Sequence, residues 1–325
     1  MKRQILYLIT LISLYPAFGI AQGLSNLTAA FVDVGIGARA IAFGGAYTAL
    51  ARNAEAAFWN PAGVSYSEKI NIEFSRVNQF GVIPYNAFSG TMTVAGTHAI
   101  GAGMLHSGDE YLSETSVLLS YAINGENLLP SGFEKIRFGF NLKIQFADFG
   151  GTTPQSSDYP FFDQAEFDAA VISHVQGSAS GVGMDLGLLY AFSDKLDLAL
   201  VYRNAFNKIS WDNGQENYDE GIPDALAFGM AYRPANGLIF AFDFDETLTN
   251  DRSRRVHFGS EKLLLNKLAL RGGIGQSIAA AGWRDYAMGF GLFHYFTGLG
   301  RAHFDYAFQI NDLENTHRFS LGVEL

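Results

Sequence analysis

The sequence predicts an all-β fold, a transmembrane antiparallel β-barrel of about fourteen strands with an N-terminal hatch or plug in its lumen. Three observations carry this. Large apolar residues alternate with small or polar ones, with period two, again and again from Ile70 to Leu325. Several of these runs reach the ~9–11 residues that a tilted membrane-spanning strand needs. One small-residue-rich stretch, Phe31 to Gly63, fits neither a strand nor a spanning helix.

Composition sets the outer bounds. The chain has 325 residues, no cysteine and a net charge of −10. Disulfides and thiolate metal sites are therefore out of reach. The acidic balance argues against a nucleic-acid partner, which needs a basic face. Residues 1–21 read as a secretory signal peptide. Lys2 and Arg3 form the positive start, Ile5–Leu14 the apolar run, and Gly19-Ile20-Ala21 the small residues before Gln22. That apolar run falls short of the ~20 residues of a spanning helix. No cysteine follows it to carry a lipid anchor. The expected destination is the outer membrane of a Gram-negative bacterium, crossed by strands.

Residues 22–69 form the expected hatch. Arg39, Arg52 and Glu55 interrupt the stretch, and four glycines break its first half, so it cannot span a membrane as a helix. Asn53 is positioned to cap a short helix through Ala54 to Trp59, with Glu55 in the first turn and Pro61 stopping it. Gly63 supplies a turn before the first strand. The apolar residues Phe31, Ile41, Phe43, Phe58 and Trp59 argue against a loose tail. A barrel of this size has a lumen wider than its own side chains fill, and this segment is the material to plug it.

Residues 70–325 form the expected barrel. Strands are placed at 70–77, 86–95, 98–106, 111–123, 135–148, 181–192, 196–206, 224–233, 238–245, 254–262, 267–275, 284–294, 300–309 and 316–325. The run from Ile136 to Phe146 is typical. It sets Ile136, Phe138, Phe140, Leu142, Ile144 and Phe146 against Arg137, Gly139, Asn141, Lys143 and Gln145. One set of connections is mostly tight, such as Gly96-Thr97 and Ser193-Asp194-Lys195. The other is longer and more polar, as in Phe149–Ser180 and Asn207–Pro223. Short periplasmic turns and long outer loops are the mark of outer-membrane barrels. The alternation points ten charged residues into the lumen: Arg137, Lys143, Asp185, Asp197, Arg203, Asp243, Asp245, Asp305, Arg318 and Glu324. Ion pairs that hold the hatch are the favoured reading of this mixed-sign interior; the alternative is a substrate pathway.

The stretch VGIGARAIAFGGAYTALARNAEAAFWNPAG resembles the N-terminal hatch of the FadL/TodX-like outer-membrane proteins, especially the PorV/PorQ branch. The resemblance rests on Gly35, Gly37, Ala38, Arg39, Ala40, Gly44, Gly45, Ala46, Ala49, Asn60, Pro61, Ala62 and Gly63. Within the same motif stand Asn53 and Trp59. Arg52-Asn53 departs from the family's usual acidic residues there. The resemblance implies a fourteen-stranded barrel and one of two functions. A PorV/PorQ-type protein serves type IX secretion and engages exported proteins. A FadL-type protein passes hydrophobic small molecules, such as fatty acids or aromatics, through the outer membrane. Outer-membrane lipid, secretion-system proteins or cargo, and hydrophobic small molecules are the partners so implied.

Two motifs imitate chemistry. Asp243-Phe244-Asp245-Glu246-Thr247 resembles the nucleophile motif of haloacid-dehalogenase-type phosphotransferases, which needs a parallel sheet with helices. Here Phe240, Phe242 and Phe244 alternate as a lipid face does. Gly35-Ile36-Gly37-Ala38-Arg39-Ala40 matches G-x-G-x-x-A without a preceding strand. The seven histidines show no paired metal spacing. The sequence thus predicts no enzyme, no metal and no cofactor.

Overall fold

The computed structural model describes residues 35–79, 83–108, 112–126, 133–149, 177–212, 217–248, 253–278, 284–298, 300–310 and 315–325. The expected signal peptide and the start of the hatch stretch, including Phe31, lie outside them.

The strands are β1 (Asn71–Gln79), β2 (Ile83–Ala95), β3 (His98–Gly108), β4 (Leu112–Asn124), β5 (Ile136–Phe149), β6 (Gly177–Ser193) and β7 (Leu196–Asp212). After a short β8 (Asn217–Glu220) come β9 (Ala225–Ala235), β10 (Leu238–Thr247), β11 (Arg254–Leu264), β12 (Leu268–Ser277), β13 (Arg284–Phe296), β14 (Gly300–Ile310) and β15 (Thr316–Glu324). Neighbours in sequence pair antiparallel. The ring closes where β1 meets β15, Ser75 opposite Ser320. β8 pairs only with the far end of β7, beside β9, so the closed wall has fourteen strands. Closure leaves no sheet edge in the wall and satisfies its backbone groups within lipid.

Burial assigns the faces. β1 alternates buried Asn71, Glu73 and Ser75 with exposed Ile72 and Phe74. The same phase puts Phe138, Phe140 and Leu142 outside, and Asn141 and Gln145 inside, on β5. An exposed apolar belt around a polar-lined ring is the arrangement lipid demands. No helix among the described residues is long and apolar enough to cross a membrane, which bears on helices alone.

The fourteen expected strands all occur, with ends displaced by a few residues. The largest difference lies at β6 and β7, each 17 residues long. Asn207–Pro223, read as loop, holds the last part of β7 and all of β8. Its outward residues are polar, Lys208, Ser210 and Asp212, so apolar alternation stops where the strand leaves the lipid although the ladder continues.

Ahead of β1 run α1 (Ala38–Ala42), a 3₁₀ turn (Asn53–Glu55), α2 (Ala56–Trp59) and a second 3₁₀ turn (Pro61–Tyr66). Asn53 does not cap the helix. It sits at φ 60°, and its side-chain amide donates to Glu324 instead at 3.2 Å. The capping asparagine is Asn60, whose side chain accepts from Ala62 N at 3.0 Å, with Pro61 opening the second 3₁₀ turn.

Candidate functional site: the filled lumen

Residues 35–67 touch strands on every side of the ring. Ala38 N donates to Ser320 on β15 at 2.8 Å, and Tyr47 N and Thr48 N donate to Asp243 on β10 at 2.8 and 2.7 Å. Arg52 pairs with Asp197 on β7 at 2.7 Å. The Ala57 carbonyl accepts from Asn141 on β5 at 2.8 Å, and Ser67 meets Thr91 on β2 at 2.6 Å. One segment can reach opposite walls of a closed ring only from within it. Its apolar core consists of Phe43, Tyr47, Leu50, Trp59 and a series of alanines, packed on inward wall alanines such as Ala122, Ala199 and Ala307.

Glycine permits the closest approaches. A Cβ on Gly259 of β11 would overlap the Phe43 carbonyl, and one on Gly273 of β12 would overlap Gly44 N. Gly44 itself has φ +68°, which a side chain would strain. Across the lumen, Gly139 of β5 and Gly187 of β6 make the same accommodation for Asn60, Pro61 and Ala62. Asn60 is fully buried and donates to the Thr48 carbonyl at 3.0 Å and to the Leu188 carbonyl at 3.4 Å.

Three groups hold most of the inward charges. In the first, Arg39 bonds Glu261 at 3.2 Å, Arg271 bonds the same Glu261 at 2.7 Å, and Arg271 also bonds Asp305. Glu55 lies beneath Gly37, accepts from the Tyr47 hydroxyl and meets Glu73 of β1. Burial, and then contact with Glu73, holds the Glu55 carboxyl well above the usual carboxylate range. Burial followed by Glu55 pushes the Tyr47 phenol up in turn.

The second group lies at Asp197, which pairs with both Arg52 and Arg233 at 2.7 Å. Arg52 and Arg137 each stack 4.0 Å from the Tyr66 ring, and Arg203 lies 5.8 Å from that of Trp59. In the third, Lys143 pairs with Asp185 at 2.6 Å and donates to Asn204 at 2.7 Å. Elsewhere Asp245 meets His257 at 3.1 Å, and His257 also bonds the Gly44 carbonyl at 2.6 Å. Arg318 donates to the Gly35 carbonyl at 2.7 Å, and Glu324 pairs with Arg301 at 3.5 Å.

Sequence reasoning missed Tyr47, Glu55, Glu73, Glu261 and Arg271 as site residues. Strand phase was the available signal for three of them. Glu73, Glu261 and Arg271 are charged residues at inward positions, in register with the glycines and serines beside them. Among the described residues no group of His, Asp or Glu could hold a metal ion. The Asp243-Phe244-Asp245 motif has its first carboxylate accepting two backbone amides of the inner segment, a structural task.

The family model for Type IX secretion system membrane protein PorP/SprF matches residues 47–224, more than half of the chain. The chain belongs to this family. The match takes in most of the inner segment and β1 through β8; of the stretch that resembles the PorV/PorQ branch, only the part up to Ala46 lies ahead of it. No curated protein matches the sequence. Among solved structures, the CymD monoaromatic hydrocarbon channel is similar at a TM-score of 0.61 and 14% identity, over 90% of this chain and 97% of that one. A Pseudomonas aeruginosa FadL homologue is similar at 0.59 and 12%, over 90% and 99%. The Ralstonia pickettii toluene transporter TbuX is similar at 0.57 and 12%, over 90% and 98%. At such identities the likeness is one of fold.

Proposed function

We propose that this protein is an outer-membrane component of type IX secretion that engages exported proteins at its outer rim, with residues 35–67 acting as a hatch. The family match over 47–224 carries the reading. The lumen supports it. Its polar wall and inner segment are tied by ion pairs and amide bonds, whereas a route for hydrophobic solutes calls for an apolar lining. The reading includes no enzymatic activity: Asp243 and Asp245 are engaged by the inner segment and His257, not directed at a cleft. A Gram-negative host and a cleaved signal peptide belong to the same proposal, as does the PorV/PorQ-like mode of receiving cargo.

The test is the set of proteins a deletion strain exports. Selective loss of cargo bearing type IX C-terminal signals from the cell surface, restored by the intact gene, is the expected result. Normal export of that whole set overturns the proposal. The fold it shares with the monoaromatic channels favours one rival, transport of hydrophobic small molecules. Reduced uptake of labelled toluene or fatty acid in the same strain, with export intact, would select that rival.

A further inference from the structure

The acidic side of the first charge group holds more carboxyls than its cations can match. Glu55, Glu73, Glu261 and Asp305 are all buried, and the guanidinia among them are those of Arg39 and Arg271. Both guanidinia are committed to Glu261, and Arg271 also to Asp305. Glu55, which accepts from the Tyr47 hydroxyl of its own segment, and Glu73, which accepts from Ser320, face each other within hydrogen-bonding reach. His303 stands 3.8 Å from both Glu73 and Asp305. From β15 the neighbour is the uncharged Ser320, and from β2 the uncharged Ser89 and Thr91. Two touching carboxylates cannot both stay ionised in so dry a place.

We propose that Glu55 and Glu73 share one proton, and that this proton-bridged pair is the latch fastening the inner segment to β1. Removing the proton turns an attractive bond into repulsion between two buried anions, so the latch opens as pH rises. The raised position of Glu55 fits this sign. A group whose proton affinity increases on folding adds stability that is complete below its unfolded value and is lost as pH climbs through its folded one. The latch is independent of which cargo or solute the barrel serves.

The absence of cysteine makes a clean reporter available. Thr48 is fully buried in the inner segment, and T48C changes little in volume. The experiment measures labelling of the full-length T48C protein in detergent by a bulky maleimide between pH 6 and 10. Each rate is divided by that of a free model thiol at the same pH. Release of one proton predicts acceleration of up to about tenfold per pH unit, with heat-modifiable mobility retained. E55Q and E73Q, each combined with T48C, keep a hydrogen-bonding pair that cannot lose the bridging proton, so both should label slowly at every pH. Two such variants guard against one failing to fold. A flat profile in T48C alone overturns the latch, as does a pH dependence that survives in both glutamine variants. Acceleration at pH 6 on adding EDTA overturns it too, by placing a cation where the proton is proposed.

Discussion

At the scale of single residues, fastening rests on buried acceptors that serve backbone donors of the inner segment. Asp243 accepts from two consecutive amides, Tyr47 N and Thr48 N. Replacing it with alanine strands both in a place closed to water, at ~1–3 kcal/mol for each orphaned donor. D243A should expose the 47–51 region to limited proteolysis while β content by circular dichroism stays unchanged. Asp243→Asn, which retains one acceptor oxygen, should fall between. Asn60 is a second such residue, bonded to two carbonyls and to Ala62 N from a site with no exposed surface. Gly273 works by having no side chain. In G273V the added bulk meets Gly44 N and the Phe43 carbonyl, both backbone, so relief requires moving the whole α1 turn. The expected outcome is a folded barrel whose inner segment is cut by protease at far lower doses than in the wild type.

At the scale of elements, the wall was legible because lipid imposes a rule that sequence records directly. Each strand crossing the apolar layer must alternate, and from Ile70 onward the sequence does so again and again. Legibility ended where the lipid ended. The upper part of β7 carries Lys208, Ser210 and Asp212 outward, and water asks for no alternation there. The inner segment was harder to read, since its local geometry is set by partners far away in the chain. Asn53 has the chemistry of a helix cap, yet it adopts a left-handed conformation and bonds Glu324, 271 residues away. The ten lumen charges could be placed on a face by phase alone, whereas their pairing depends on the ring's closure. That closure is directly testable. Ser75 on β1 and Ser320 on β15 face each other with hydroxyls 3.1 Å apart. In the otherwise cysteine-free chain, S75C/S320C should crosslink nearly completely under mild oxidation. The crosslinked protein should keep a compact gel mobility after heating that reductant abolishes. No crosslink would mean that the first and last strands do not meet.

At the scale of the whole molecule, the wall is uneven. β1 and β15 have 9 residues each, against 13 in β4, 14 in β5 and 17 in both β6 and β7. The start of β1, the end of β15 and most tight turns lie on one rim, which the rule of short periplasmic turns assigns to the inside. The extra length of β6 and β7 therefore rises from the outer rim. There the outward residues change from Val182, Phe146 and Phe206 to Ser180, Asp148 and Ser210. These upper strands and β8 border a cavity of about 750 Å³ lined by Ser113, Asp148, Ser178, Asp212 and Asp219 among others. The same side of the barrel falls within the stretch matched by the secretion family. If engagement of exported proteins is the function, this raised acidic wall is its natural platform. Reversing its charge without touching the lumen should separate the two. D148K/D212K protein should reach the membrane, remain heat-modifiable and keep its inner segment protected from protease, while surface retention of cargo drops several-fold. Unimpaired cargo retention in that variant would move engagement away from the tall side, to the lower rim formed by the shorter strands β9 to β15.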